Sequence, residues 1–390
     1  MEKTNSIDPS IFCSSFATRT GAQEHFLVIS TKPGWKYAGA LDDLDRAYDR
    51  ALRQRRLSPD TQAFVRFYVS DITNQKDALV NSPVYRKACM GACSVIHQRP
   101  LCGGPMAMLA YHIKGAATRE PLSPADGQAG TSVVMKGANY RALITGEMGG
   151  PGPFDSEQQT EGIWRSFLPL LERHSMTLLD NTIRTWIFVR DVDNHYKGMV
   201  KARRAVFEQH GLTQNSRYCA STGIEGRMRS PGTLVSMDTL SFAPLHKDQI
   251  IRMEALDHLP PTITYGVTFE RGLRVRFGDR SHLYISGTAS IDKDGSVLHP
   301  GDVESQARRT IENIKALLAP HQATLKDMMY LLVYLRDPNA RARVAAILKR
   351  EVPRTVPLLM IEASVCRPAW LFEMEGLAII KDKCGFPAFL

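Results

Sequence analysis

One pattern occurs three times along this 390-residue chain and limits its fold more than any other feature. Each copy has an amphipathic helix, a β-rich segment that ends in an Asp, and a second helix. The β-rich segments are FVRFYVSD at 64–71, RTWIFVRD at 184–191 and LLVYLRD at 331–337. Their Val, Ile and aromatic residues are typical of half-buried strands. This repetition predicts three related units that fold together, not three independent domains.

Further predicted strands complete each unit. Residues 283–291 and 371–380 are predicted strands of the third unit, and the dipeptide Asp294-Gly295 predicts a hairpin turn. The order hairpin, helix, strand, helix, strand predicts an α+β layer with helices on one face of a sheet. The predicted boundaries are an N-terminal extension at 1–24, units at 25–115, 138–243 and 264–381, and connectors at 115–137 and 243–262.

Composition and charge exclude several classes of protein. Apolar residues make up 43% and charged residues 23%, which excludes a disordered or collagen-like chain. No apolar stretch is long enough to span a membrane, and the N-terminus shows no signal-peptide pattern, so we expect a cytoplasmic protein without a membrane segment. The formal net charge is +9, but the basic residues are scattered and no nucleic-acid-binding motif occurs. The surplus therefore predicts a basic surface or a pocket for an anionic ligand, and no nucleic-acid partner.

The cysteines do not form a pattern typical of disulfides or metal sites. There are seven at irregular spacing, and without an export signal they predict reduced thiols. Cys89, Cys93, His97 and Cys102 lie close together, but their spacing fits no common structural zinc pattern. The chain also lacks a G-x-G-x-x-G or P-loop motif. We therefore expect neither a metal nor an organic cofactor.

The third unit resembles the YjgF/RidA family. The resemblance rests on the run from YISGTASI to IKALLA at 284–319, on YLRD at 334–337 and on CRPAWLFEMEG at 366–376. Proteins of that family are homotrimers of a small α+β subunit with the Bacillus chorismate mutase-like fold, and they have clefts between subunits. The resemblance implies that the three tandem units form a pseudo-trimer within one chain. This favours a monomer, or at most a weak dimer.

Within that superfamily the chain is most similar to the chorismatases, bacterial enzymes that remove pyruvate from chorismate. The segments that carry the similarity are HQRPLCGG at 97–104, ASTGIEG at 220–226, TYGVTFERG at 264–272, YISGTASI with HPGD within 284–302, and EMEG at 373–376. The resemblance implies a small anionic substrate, chorismate, and a site located mainly in the third unit.

The matching positions imply a set of substrate-binding residues. Arg271 and Arg336 would bind the substrate carboxylates, because a planar guanidinium forms paired charge-assisted hydrogen bonds. Tyr265 would donate a phenolic hydrogen bond in the catalytic site. Thr222 and Gly223 are expected in a turn, where backbone N–H groups can approach an anion.

Two glutamates of the last predicted strand are the candidate acids. Glu373 and Glu375 are two positions apart, so they share one face of the strand. Burial or the charge of a second carboxylate raises a carboxyl pKa, whereas nearby arginines lower it, and the sequence leaves this balance open. A raised pKa would let Glu373 protonate carbon near neutral pH.

Two further positions distinguish chorismatase subtypes. Gly272 and Cys366 resemble the members that form 3-hydroxybenzoate, whereas hydrolytic members have Ala at both places. Gly272 would leave space beside the ring, and the Cys366 thiol would hydrogen-bond or relay a proton. The implied reaction converts chorismate to 3-hydroxybenzoate and pyruvate, with Glu373 protonating the enolpyruvyl group and the ring hydroxyl attacking internally. The alternatives are a hydrolytic chorismatase that gives a dihydroxycyclohexadiene carboxylate and a non-catalytic small-molecule-binding protein.

Overall fold

The computed structural model describes residues 11–33, 36–115, 118–122, 131–149 and 155–390, apart from the side chain of Tyr265. Three mixed sheets with flanking helices follow one another along the chain. The α+β class and the three tandem units predicted from the sequence are therefore confirmed.

The first sheet has the strand order β1-β2-β5-β3-β4. Its strands are β1 (Ile11–Phe16), β2 (Gln23–Ser30), β3 (Gln62–Val69), β4 (Ala92–His97) and β5 (Met106–Lys114). The helices of this unit are α1 (Tyr37–Arg55), α2 (Ile72–Val80) and α3 (Pro83–Ala88).

The second sheet has the order β10-β9-β11-β8-β7-β6. Its strands are β6 (Thr118–Leu122), β7 (Thr131–Lys136), β8 (Arg141–Gly149), β9 (Thr182–Val189), β10 (Ala220–Glu225) and β11 (Val235–Ala243). The helices are α4 (Ser156–Arg173), α5 (Leu178–Asn181) and α6 (Val192–Gln209).

The third sheet has the order β12-β13-β14-β17-β15-β16. Its strands are β12 (Ile250–Arg252), β13 (Gly272–Arg276), β14 (Arg280–Ala289), β15 (Met328–Leu335), β16 (Leu358–Glu362) and β17 (Phe372–Lys381). The helices are α7 (Val303–Leu318) and α8 (Arg341–Glu351).

Each unit contains a parallel edge strand that the sequence pattern does not predict. These strands, β4, β10 and β16, pair in parallel with β3, β9 and β15 at the edge of their sheets. The sequence of β10, ASTGIE, is short, polar and contains a glycine, so it lacks the alternation of a half-buried strand. Thr222 and Gly223 consequently lie in a strand, and the prediction that they form a turn is wrong.

The sheets also begin earlier than the predicted units. Strand β1 falls within the predicted extension 1–24, and β6, β7 and β12 fall within the predicted connectors. These strands lie at or next to the sheet edge and several are short and polar, so they resemble loops in the sequence. Residues 1–10 of the extension and 116–117 and 123–130 of the first connector lie outside the described residues.

The three units contact one another in a closed ring. Backbone bridges join His97 with Arg227, Ile224 with Val365, and Pro100 with Ile361, so each unit touches both others. The long helices pack on the outer faces of the sheets, with the predicted apolar stripe of α4 and of α7 buried. The inner faces meet in a shared core, where the Phe64 and Trp186 rings lie 6.2 Å apart. This arrangement is a pseudo-trimer within one chain.

The structure bears on the cysteines, on possible metal ligands and on membrane-spanning helices. Cys89 and Cys93 form a disulfide between the end of α3 and β4, so the prediction of reduced thiols is wrong for this pair. Their Cα atoms are 5.2 Å apart, a separation that a disulfide can span. Among the described residues there is no group of three or more His, Cys, Asp or Glu side chains that could hold a metal ion. None of the described helices is both long and apolar enough to cross a membrane.

Candidate active site

A pocket lies in the cleft between the second and third units. Helix α6 and strand β10 form one wall, and β14, β17 and the segments before β13 and β17 form the other. The cavity encloses about 520 Å³ of space outside protein atoms, a volume that includes its opening to solvent. The structure brings five predicted site residues to it, namely Thr222, Gly223, Arg271, Cys366 and Glu373.

Glu375 is a fully hydrogen-bonded carboxylate. It lies on β17 two residues after Glu373 and is completely buried. Its oxygens accept hydrogen bonds from the guanidinium of Arg184, the hydroxyl of Thr222 and the hydroxyl of Tyr334, the last at 2.8 Å. Arg184 belongs to β9 of the second unit, so this ion pair crosses the cleft. The positive charge of Arg184 is thereby neutralised by Glu375.

Glu373 has the opposite environment. It is only 4% exposed, and its Oε1 atom has no hydrogen-bond partner among the described residues. Burial and, after it, the negative charge of Glu375 raise the pKa of Glu373 to about 8, although the charges of Arg184 and Arg271 oppose the shift. Burial and the second carboxylate therefore outweigh the arginines. At neutral pH Glu373 is a carboxylic acid that faces the pocket.

Gly287 provides the space in which the Glu373 carboxyl lies. It falls in an irregularity of β14, where the pairing with β17 shifts between Ile285 and Thr288. A Cβ atom at Gly287 would come within 2.4 Å of Glu373 Oε1 and 3.1 Å of Thr222 Cγ2. The Gly287 N–H donates a hydrogen bond to Thr222 Oγ1 at 2.9 Å. Any side chain at this position would displace the acid.

Arg203 is a buried cation that the sequence did not single out. It projects from α6, is 1% exposed and lines the pocket. Its Nη1 donates a long hydrogen bond of 3.4 Å to Ser221 Oγ, and its Nε and Nη2 have no partner among the described residues. A buried guanidinium with unused donors is costly, and an anionic ligand would offset that cost. A sequence signal existed, because Met199, Ala202, Arg203 and Phe207 share the buried face of α6.

Arg271 provides a second cation, in the opposite wall of the pocket. It lies directly before β13, is 7% exposed, and its Nε donates to the Pro260 carbonyl at 3.1 Å. Its guanidinium lies 5.8 Å from the centroid of the Phe269 ring. These contacts fix the side chain where the sequence predicts a carboxylate-binding arginine.

The backbone of β10 adds a donor. The N–H groups of Ser221 and Glu225 point away from β9 and bind Ser286 Oγ and the Ser364 carbonyl of the third unit. Donors alternate along a strand, so the N–H of Gly223 points in the same direction. Gly223 lines the pocket, and this N–H is therefore available to an anionic group of a ligand.

Cys366 lies close to the acid. Burial raises the pKa of its thiol to about 12, and the neighbouring Glu373 adds to the shift. The Tyr196 hydroxyl belongs to the same pocket, and burial raises its pKa well above its usual value. The thiol is therefore protonated at neutral pH and is suited to donating a hydrogen bond.

Two predicted residues, Arg336 and Gly272, do not line this pocket. Arg336 makes an ion pair with Asp193, with N–O distances of 2.8 and 3.0 Å, and faces a separate charged groove. Gly272 lies in β13, where a Cβ atom would meet the Tyr284 carbonyl at 2.8 Å and Met253 Sδ at 3.0 Å. The space at Gly272 therefore adjoins the core. Tyr265 ends the short 3-10 helix Thr262–Tyr265, and its side chain lies outside the described residues.

Comparisons with known proteins agree with this architecture. The model of the endoribonuclease L-PSP family matches residues 275–380. A RutC family protein of Pyrococcus abyssi (strain GE5 / Orsay) is 32% identical over 97 residues, which cover 25% of this chain and 76% of that protein. The chain belongs to the RutC family. This membership confirms the resemblance of the third unit to YjgF/RidA proteins.

The whole RutC-like chain also has the fold of a solved enzyme. The crystal structure of a chorismatase superposes with a TM-score of 0.63 and 16% sequence identity, covering 82% of this chain and 93% of the chorismatase. The similarity spans more than one RutC-like unit. The three-unit arrangement of the pseudo-trimer is thus shared with that protein.

Proposed function

We propose that this protein is a chorismatase that converts chorismate to 3-hydroxybenzoate and pyruvate. The observation that carries the proposal is Glu373, a buried acid with a pKa of about 8 that lines the same pocket as the unused donors of Arg203. The shared fold with a chorismatase and the resemblance of the sequence segments support it. Protonation of an enol ether requires such an acid near neutral pH.

Binding would use the donors of both cleft walls. Chorismate carries two carboxylates, a ring hydroxyl and an enolpyruvyl ether. Arg203 and the Gly223 N–H from the second unit, with Arg271 from the third, provide charged and neutral donors for the two carboxylates. Holding both carboxylates fixes the enolpyruvyl group near Glu373, and this orientation supplies part of the rate enhancement.

Chemistry would start at Glu373. Its proton passes to the terminal methylene of the enolpyruvyl group, which makes pyruvate a leaving group. The ring hydroxyl attacks the adjacent ring carbon, the ring carbon–ether oxygen bond breaks, and an arene oxide forms. The hydroxyl proton returns to Glu373, and the oxide opens and rearranges to 3-hydroxybenzoate. Substrate and products balance without water, metal or oxidant.

Cys366 supports this product over the hydrolytic alternative. Its protonated thiol lines the pocket and interacts with Glu373, so it can hydrogen-bond to the ring oxygen while the ring becomes aromatic. Gly272, the second position of the subtype argument, does not line the pocket. The preference for 3-hydroxybenzoate therefore rests on Cys366.

The test is incubation of the purified protein with chorismate, followed by chromatography of the products. We expect equal amounts of pyruvate and 3-hydroxybenzoate. Pyruvate with a dihydroxycyclohexadiene carboxylate would replace the proposed product with that of the hydrolytic subtype. Binding of chorismate without pyruvate release would indicate a non-catalytic binding protein and would refute the enzymatic proposal.

Substitutions of Arg203 and Arg336 test which arginine binds substrate, because the structure places Arg203 in the pocket whereas the sequence predicted Arg336. We expect Arg203→Met to lower kcat/KM on the order of 10²-fold, mainly through KM, because a charge-assisted contact to a carboxylate is lost. Arg336→Met should change kcat/KM less than about threefold, because Arg336 pairs with Asp193 outside the pocket. Steady-state kinetics on chorismate measure both. Equal losses in the two variants would show that Arg336 also binds substrate.

The pH dependence follows from the acid. Glu373 donates its proton, so only the protonated form is active. We expect kcat/KM to stay level below the Glu373 pKa and to fall with rising pH above about 8. A pH series of kcat/KM at constant ionic strength tests this. Activity that increases as the pH rises through this range would indicate a general base instead.

A further inference from the structure

The cleft between the first and second units repeats the polar layout of the pocket. Asp238 and Glu375 occupy equivalent positions: Asp238 has the same place in the pairing of β11 with β9 as Glu375 has in the pairing of β17 with β15. Its Oδ2 accepts hydrogen bonds from Arg66 Nη2 at 2.6 Å and from Ser94 Oγ at 2.8 Å. Arg66 and Ser94 come from the preceding unit, as Arg184 and Thr222 do for Glu375. The buried Arg–hydroxyl–carboxylate set thus occurs twice.

Glu147 occupies the position of Gly287 in this first cleft. The pairing of β8 with β11 shifts between Thr145 and Met148, as the pairing of β14 with β17 shifts between Ile285 and Thr288. Glu147 is the residue before Met148, and Gly287 is the residue before Thr288. Glu147 also has a φ of 53°, a conformation that favours glycine. Glu147 therefore holds a long side chain in a backbone conformation that glycine adopts more readily.

The Glu147 carboxylate is bound in the manner of a ligand. Its Oε1 accepts a hydrogen bond from Arg229 Nε at 2.8 Å, and its Oε2 accepts one from the Val95 N–H at 3.2 Å. Val95 follows Ser94 as Gly223 follows Thr222, so the two backbone donors correspond. Arg229 also donates to the Tyr85 hydroxyl at 3.2 Å. The residue is 2% exposed and fills the cleft.

The cleft between the third and first units lacks the corresponding hydroxyl and guanidinium among its described residues. Leu359 pairs with Leu332 in the third unit as Thr222 pairs with Trp186 in the second, so Leu359 is at the position of Thr222. Tyr330 is at the position of Arg184 in the same comparison of strands. Both side chains are mostly buried in the shared core. Neither can replace the hydroxyl and the guanidinium of the other two clefts.

We propose that the cleft between the first and second units is a second carboxylate-binding site, held closed by the chain's own Glu147. The side chain of Glu147 supplies the carboxylate that a ligand would supply, and Arg229 and the Val95 N–H bind it. In the natural protein Glu147 therefore excludes an anionic ligand from this cleft. The inference goes beyond the proposed function and does not depend on chorismate.

Removing the Glu147 side chain tests this directly. Propionate has the atoms that Glu147→Gly removes, so the probe is sodium propionate, with propionamide as its neutral counterpart. Thermal melts are recorded above the pKa of Glu147, which burial raises to about 7. We expect the variant to melt below wild type and to regain several degrees in a saturable response to propionate. Propionamide should give no such response, and the wild-type melt corrects for binding at the other pocket.

The double variant Glu147→Gly/Arg229→Met is the matched control. It lacks the cation of the proposed site, so its propionate response should equal that of wild type. A response of the single variant no larger than that of wild type would overturn the proposal. A response of the double variant as large as that of the single variant would overturn it as well. If Glu147→Gly folds only with an added ligand, refolding yield with propionate against propionamide decides in the same way. Failure of this test leaves the chorismate assay unaffected, because that assay reports on the other cleft.

Discussion

Replacing Glu373 by glutamine is expected to reduce kcat/KM on chorismate by about 10²–10⁴-fold, the usual contribution of a general acid. The glutamine side chain has the shape of the acid but cannot release a proton to carbon. Because only the proton is removed, we expect KM to change little while kcat falls. Single-turnover measurements of pyruvate release separate the two effects.

The same substitution is expected to stabilise the fold. The raised pKa of Glu373 means that its charged form is disfavoured in the native state, so the native state loses stability as the pH rises from 4.5 towards 8. Glutamine carries no charge and avoids this loss, which amounts to up to about 3 kcal/mol at pH 7. A rise in the melting temperature together with a loss of turnover would show that the variant has lost its proton donor and not its fold.

Glu375→Gln is the matched control on the same strand. It leaves the Arg184 guanidinium buried without a carboxylate, so it should lower the melting temperature, whereas Glu373→Gln should raise it. Wild-type turnover in Glu373→Gln would contradict the assignment of the acid. A lower melting temperature in that variant would contradict the environment described for it.

Gly287→Ala is expected to inactivate the enzyme with one methyl group. The new Cβ would lie 2.4 Å from Glu373 Oε1, so the carboxyl must rotate away from its position. A displacement of about 1 Å at a reacting group costs on the order of 10²-fold in rate. The atom that must move is the end of a side chain, so stability should fall less than it does in ordinary overpacking, by under about 1 kcal/mol. Steady-state kinetics and thermal melts measure the two effects.

Gly149→Ala provides the control for Gly287→Ala. Gly149 is also a strand glycine, in the corresponding strand β8 of the second unit, and its added Cβ would lie 3.5 Å from Thr233 Cγ2, an ordinary contact. This variant should keep wild-type kinetics. Activity retained in Gly287→Ala, or lost equally in both variants, would show that Gly287 does not set the position of the acid.

Local patterns predicted the parts of this protein that depend on neighbouring residues. The helix period identified the buried face of α7, and the spacing of Glu373 and Glu375 placed both on one face of β17. The threefold repeat predicted three related units that fold together, and the resemblance to the YjgF/RidA family implied their pseudo-trimer arrangement. Each of these depends on contacts within one element or on a comparison of one unit with another.

The balance of charges in the pocket could not be predicted in the same way. It depends on Arg184 reaching across the cleft to Glu375 and leaving Glu373 without a partner. That pairing joins residues of different units, and no local spacing encodes it. Arg336 shows the converse error, because its pairing with Asp193, 143 positions away, directs it to another groove.

Turnover of chorismate in D₂O tests the central claim most directly, because it reports both the reaction and the site of proton transfer. If a carboxylic acid in exchange with solvent protonates the enolpyruvyl methylene, the released pyruvate carries one deuterium in its methyl group. Immediate reduction to lactate preserves the label for mass spectrometry. The account predicts singly labelled lactate and an equal amount of 3-hydroxybenzoate from wild type, and formation of both that is slower by about 10²–10⁴-fold in Glu373→Gln. Absence of pyruvate, or pyruvate without the label, would contradict it.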